Sequence, residues 1–479
     1  MNRPTLRPPA APAAAPFAPF APFAPFALLA ALAAQDAPPA AAAPVEPIAD
    51  VVAAAVRTID PARIERTVRA LVGFGTRHVL SRTDSETEGT GAARKWLRDE
   101  FDAIAATSGG RLVVTLQSET VPCARPGMPT QVPIVNVIAT LRGTSDPERV
   151  YVVGGHYDSR NSQGEDGRKA APGAVDDASG TAVALEACRA LAGRRFPATL
   201  VFVAYDGEEQ GLIGSKAHAK ALAAAGARVD GMIACDIVGN TLGMDGARHD
   251  RHLRCFSYAP SGNDSFGRSL ARAAAFAART HVPGFGVDLI FRGDRYGRGG
   301  DHRSFFDQGF PAVRFSEPRE DFSRQHQDVV ARDGKPYGDL PEWVDFAYSA
   351  NVCRVVVATL AELASAPPPP RVLAAQLRRD RYDTEVVYEL PAGALRAEFV
   401  WRPTTAPDWT HVVGQDEAAP KPTRSDRLLA TLAGVCLDDV VVGVRSVGAD
   451  GSRSRVATPP EPDRFDARPR AGASGEAGR

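Results

Sequence analysis

What the sequence lacks narrows the field first. Positive and negative charges almost cancel over the 479 residues, leaving a formal net charge of −1. That balance gives no electrostatic case for nucleic acid or an anionic membrane as partner. The six cysteines (Cys123, Cys188, Cys235, Cys255, Cys353, Cys436) contain no CxxC pair and no zinc-finger spacing, which excludes a thiolate cluster of that kind. Cys188 and Cys235 fall in apolar-rich segments and read as small core residues. Export would permit a disulfide, but the spacing assigns no pair. No apolar run near the amino terminus is long enough to span a membrane. Apolar and charged fractions of 44% and 24% leave an ordinary globular composition, at a length that suggests two domains.

Residues 1–34 open with Arg3 and Arg7, continue through an Ala-Pro-Phe tract and end on a short apolar run with small residues at Ala31 to Ala34. This pattern is expected of a signal for a secreted or periplasmic protein. Residues 35–47 form an Ala/Pro linker. A regular pattern then runs over residues 48–365. Ile59 to Val72 has apolar residues at helical spacing behind an Asp60 cap and Pro61. Gly91 to Ile104 is a second amphipathic helix. Leu112 to Leu116 and Val132 to Leu141 read as strands, the second near a sheet edge because of Pro133. Strand and helix then alternate through Arg149 to Val153, Ala178 to Ala192, Thr199 to Tyr205, Ile213 to Ala225 and Gly231 to Cys235. Residues 284–300 read as a Gly- and Arg-rich loop, and Trp343 to Leu363 as a closing helix. The alternation predicts an α/β fold: a mixed, largely parallel sheet with helices on both faces. After a Pro linker at 366–370, short strands at 371–458 predict a small C-terminal β-sandwich. Residues 459–479 form a polar tail of disordered composition.

Sites in open α/β sheets form at the carboxyl ends of the strands. There the chain places Gly154-Gly155-His156-Tyr157-Asp158, Asp206-Gly207-Glu208-Glu209, and Asp236 after Cys235. Asp176 and Asp177 sit on a tight turn ahead of a helix, and His326 lies in a loop. Taken singly, these residues read as a helix cap, turn formers or an exposed histidine. Together, two histidines and several carboxylates are the nitrogen and oxygen donors that zinc accepts, in a number that suits two ions sharing one carboxylate. A metal-bound histidine commonly donates its other N–H to a carboxylate, and Asp158 is placed for that. Two ions can polarise a carbonyl and acidify a bridging water, leaving Glu208 as a spare carboxylate to take the proton.

These stretches, with Cys235-Asp236-Ile237-Val238-Gly239 and Pro172 to Gly180, resemble the dizinc exopeptidases typified by secreted bacterial leucyl aminopeptidases. The resemblance covers roughly Asp60 to Leu363. It implies that Asp176 bridges two zinc ions, with His156 and Asp236 on one and Glu209 and His326 on the other. It further implies that Glu208 is the general base, that Asp177 braces without ligating, and that Asp301 to Phe305 helps to wall the substrate pocket. The family often has Tyr before the last histidine; here Gln325 stands there as the candidate oxyanion contact, and Gln327 replaces the usual Thr. The C-terminal strands, with Trp401, Trp409 and Val442 to Val447, resemble a fibronectin type III module that is a candidate for binding a protein or surface ligand.

The implied reaction is removal of amino-terminal residues from peptides. A carboxypeptidase using the same two ions is one alternative. A binding protein on a retired peptidase scaffold is another, and it should have lost ligands that are all present here. Glutaminyl cyclases share the fold but use one zinc, which the second ligand set disfavours.

Overall fold

A computed structural model describes residues 46–123, 130–259, 264–378, 380–423 and 427–460. The expected export signal at 1–34, almost all of the Ala/Pro linker and nearly all of the polar tail lie outside these residues. The helices are α1 (Ile48–Val56), α2 (Pro61–Gly73), α3 (Gly89–Ala106), α4 (Ser179–Leu191), α5 (Ile213–Ala224), α6 (Phe266–His281), α7 (Asp301–Phe306) and α8 (Phe346–Ser365). The strands of the main sheet are β1 (Leu112–Pro122), β2 (Gln131–Leu141), β3 (Asp146–His156), β4 (Ala198–Tyr205), β5 (Arg228–Cys235), β6 (His252–Ser257), β7 (Gly286–Ile290) and β8 (Ala312–Ser316).

The spatial order is β1-β2-β4-β3-β5-β8-β6-β7. Pairs β4/β3, β3/β5, β5/β8 and β6/β7 are parallel, while β1/β2, β2/β4 and β8/β6 are antiparallel. All eight residues of β4 are buried. Period-two alternation divides them: Leu200, Phe202 and Ala204 join a core with α1, α2, α4, α6 and α8, whereas Val201, Val203 and Tyr205 join Ala219, Leu222 and Phe305 of α5 and α7. A strand covered on both faces must be apolar throughout, which explains its unbroken run of large and β-branched residues. α8 is long and apolar enough to cross a membrane, but most of it is buried in this core.

Two details differ from the sequence reading. β2 is an interior strand, yet β4 pairs only with Val137 to Leu141, so Pro133, opposite Thr120 of β1, removes no bond from that second ladder. The stretch read as a loop at 284–300 contains β7, a half-buried edge strand. All six cysteines are free.

The C-terminal residues form a small β-sandwich. Its four-stranded sheet is built on Arg371–Arg378, Asp383–Glu389, Leu428–Leu432 and Lys421–Pro422; its three-stranded sheet on His411–Gly414, Arg396–Pro403 and Val440–Val447. Val386, Tyr388, Phe399, Ala430 and Val444 fill the space between them. The sandwich is tied to the main sheet's helices. Arg402 Nη2 donates to both oxygens of Asp264 at 2.7 and 2.8 Å, and Ser269 Oγ of α6 donates to the Val456 carbonyl at 2.6 Å.

Candidate metal centre

Parallel strands β3, β4 and β5 end side by side, so the residues that follow them are brought together without any long-range design in the loops. His156 closes β3 and is 1% exposed. Its Nε2 lies 3.2 Å from Asp176 Oδ1, 3.9 Å from Asp236 Oδ1 and 4.0 Å from Glu208 Oε2. On the opposite side of Asp176, Oδ2 is 3.0 Å from His326 Nε2, which is also 2.9 Å from Glu209 Oε1. Two triads result, His156–Asp176–Asp236 and Asp176–Glu209–His326, each with its donor atoms within 4.8 Å of one another. Asp176 belongs to both. Glu208 belongs to neither, although its side chain is only 12% exposed and faces the same space.

The supports explain how adjacent glutamates diverge. Asp158 accepts the Glu208 amide at 3.2 Å on one oxygen and the Glu209 amide at 3.1 Å on the other. That fork fixes the turn so that successive side chains leave it in different directions. Asp158 also serves His156, whose Nδ1 is 3.1 Å from the Asp158 carbonyl and 3.4 Å from its carboxylate. Asp177 accepts from the amides of His156 (3.1 Å), Gly180 (2.9 Å) and Ile237 (3.2 Å), joining the ends of β3 and β5 to the start of α4. Arg77, wholly buried, donates to the carbonyls of Tyr157, Pro172 and Gly173 at 2.5 to 2.8 Å and so holds the turn before Asp176.

Two supports were not anticipated. Asp339 accepts the amides of Val175 and Asp176, both at 2.8 Å. Burial pushes its carboxyl up to about 7. Arg314, fully buried in β8, lies 2.9 Å from Asp236 and 3.4 Å from Asp294. A charged residue inside the five-residue strand Ala312–Ser316 is the one sequence signal that could have found it. Gln325 sits beside His326, but its amide donates to Glu320 at 2.8 Å and accepts from Arg298 at 3.0 Å, so it faces those residues. Asp301, at the start of α7, is buried and raised to about 7, chiefly by burial.

The charge balance of the cluster favours a cation. Burial raises Glu208 and Glu209, and neighbouring carboxylates raise both further. Burial opposes charge on His326 too, yet Glu209 and Asp176 outweigh it and bring that imidazole up to about 10. His156 Nε2, Asp236 Oδ1 and Glu209 Oε1 are buried and make no well-angled hydrogen bond to any described residue. Buried polar atoms are rarely left so unless something else meets them. Orphaned imidazole nitrogen and carboxylate oxygen are the donor set that zinc takes, so the residues present fit that ion.

Comparison with known proteins agrees. Residues 136–335 match the profile of peptidase family M28. A protein named "Probable zinc metalloprotease" from Leptosphaeria maculans is 41% identical over 426 residues, covering 85% of this chain and 96% of that one. Another of that name from Pyricularia oryzae is 43% identical over 431 residues, covering 85% and 84%. These relatives are fungal, where the sequence resemblance pointed to bacterial enzymes. The fold is similar to a solved structure of LapA from Legionella pneumophila, with 22% identity, 66% of this chain and 76% of that one covered, and a TM-score of 0.50. The chain belongs to peptidase family M28 and is a zinc metallopeptidase.

Proposed function

We propose that the protein is an exopeptidase that removes amino-terminal residues from peptides, using two zinc ions held by the two triads. The observation that carries the two-ion reading is Asp176, whose separate oxygens lie 3.2 and 3.0 Å from the two histidines. His156 and Asp236 would hold one ion, Glu209 and His326 the other, and Asp176 would be shared. Bound there, zinc would polarise the scissile carbonyl and acidify an attacking water.

The remaining steps belong to the chain itself. Glu208 takes the proton of the attacking water and returns it to the leaving amine; its exclusion from both triads leaves its oxygens available. Asp158 keeps Glu208 and Glu209 apart. Asp177 and Asp339 hold the Asp176 turn through five amides, so the bridging carboxylate is oriented before substrate arrives. Gln325, occupied by Glu320 and Arg298, is assigned here to positioning the His326 loop and given no oxyanion role. The choice of the amino end rests on the sequence motifs. We also read the C-terminal sandwich as fibronectin type III-like and as a surface for a protein ligand.

A cleavage panel tests the proposal. Peptides with free or acetylated amino ends and free or amidated carboxyl ends are offered to zinc-loaded and chelator-treated protein. Cleavage that needs a free amine, ignores amidation and disappears with chelator is expected. Cleavage that survives acetylation but stops on amidation would establish the carboxypeptidase instead.

A further inference from the structure

Beside the metal centre lies a groove of about 600 Å³ whose charge is opposite to that of the cluster. Five arginines line it, at 254, 292, 295, 298 and 319, against two carboxylates, Asp245 and Glu320. The whole chain is nearly neutral, so this surplus is local. Glu320 is already engaged, lying 2.8 Å from Arg254, 3.2 Å from Arg295 and 2.9 Å from Arg298. Arg292 and Arg319 are exposed and form no ion pair with any described residue. Three of the chain's exposed large apolar side chains, Met244, Tyr296 and Phe322, sit on the same groove at 57%, 87% and 58% exposure. Exposed apolar groups gathered with uncompensated charge mark a binding surface.

The groove is coupled to the centre through single contacts. Arg298 and Glu320 hold Gln325, the residue before His326. Arg295 donates to the Gly299 carbonyl at 3.3 Å, and Arg314 donates to that same carbonyl at 2.9 Å while facing Asp236. These contacts put the groove next to the His326 loop, with Glu320 and Gln325 between its arginines and the triads.

We propose that this groove is a substrate subsite that takes a carboxylate of the peptide, with guanidinium groups supplied by Arg319 and by Arg292, which lies 5.4 Å from the centre of the Tyr296 ring and is paired with no described carboxylate. The inference rests on the peptidase reading above and names its substrate class. Guanidinium forks match carboxylates in geometry as well as charge. The neighbouring apolar rings cover the aliphatic stem of an acidic residue. The carboxylate is either that of an Asp or Glu side chain or the peptide's own terminus, and both present the same two oxygens.

The test measures binding apart from turnover. Zinc-loaded full-length Glu208→Gln protein is titrated calorimetrically with Leu-Ala-Ala-Ala and with versions carrying Glu or Gln at each later position, all as free acids and as amides. One Glu peptide should bind ~10-fold tighter than its Gln partner, or the free acid tighter than the amide by that factor; the first outcome assigns the side chain, the second the terminus. The difference should shrink between about 0.05 and 0.5 M salt. It should fall to under about 3-fold when Arg292→Gln and Arg319→Gln are added. Equal affinities throughout, or a preference that the double substitution leaves intact, would overturn the proposal. Wild-type turnover is followed in parallel. A Glu preference in binding without any cleavage would sink the peptidase reading and keep the subsite; cleavage with no such preference does the reverse.

Discussion

His156, at the end of β3, and His218, on α5 against the other face of the sheet, are both buried, at 1% and 5% exposure. Among the described residues, His218 has one hydrogen-bond partner, the Tyr205 hydroxyl at 3.0 Å, and its ring meets that of Phe305 in a T-shaped contact. Burial alone acts on it and lowers its pKa to about 4. Burial also works to lower His156, but Glu208, Asp158 and Asp176 overcome it and raise that imidazole well above its usual value. Covering a histidine therefore does not decide its charge; the carboxylates that come with it do. One region is a neutral packed core. The other is a buried anionic cavity, which is costly unless positive charge fills it.

The largest expected effect breaks the anionic side of this contrast at its least constrained member. Glu208→Gln keeps size and polarity but removes the basic oxygen, so kcat should fall ~10²–10⁴-fold. KM should change little, because substrate binding does not need the base. Steady-state kinetics on the zinc-loaded variant check both.

The smaller effect sharpens the neutral side. The folded pKa of His218 lies below the unfolded value of about 6.5. Below pH 6.5 the unfolded chain takes up a proton at this position and the folded chain does not, down to about pH 4. His218 thus contributes stability above the unfolded value that is lost as the pH falls through this window. His218→Gln keeps a partner for Tyr205 and cannot titrate. Relative to that variant, wild-type protein should lose about 3 kcal/mol between pH 6.5 and 4, read from denaturant unfolding at each pH. A constant difference across the range would show that His218 is not held neutral.

The contrast also shows what a sequence can and cannot display. His156, Glu208, Glu209 and Asp236 were legible because each directly follows a run of strand-forming residues, and parallel strands end together. His326 follows no strand and stands in an irregular loop; motif order brought it in, and the geometry then placed it 3.0 Å from Asp176. Asp339 had no such route. It reaches amides 163 and 164 residues earlier in the chain, and no local spacing encodes that contact. β7 was missed because Val287 and Leu289 offer only a short alternation among glycines and arginines, and none of its residues is fully buried. The sandwich was legible as a class from its spaced turns. The strands His411–Gly414 and Lys421–Pro422 are too short to announce themselves.

The central claim is that two adjacent, similarly buried glutamates do different work because one belongs to a ligand triad and the other does not. Counting zinc per chain in Glu208→Gln and Glu209→Gln, by elemental analysis after dialysis, tests it most directly. Wild-type and Glu208→Gln protein should each hold about two ions, and Glu209→Gln should hold one fewer, with activity partly restored by excess zinc. A Glu208→Gln protein that loses an ion while Glu209→Gln retains both would reverse the assignment and contradict the account.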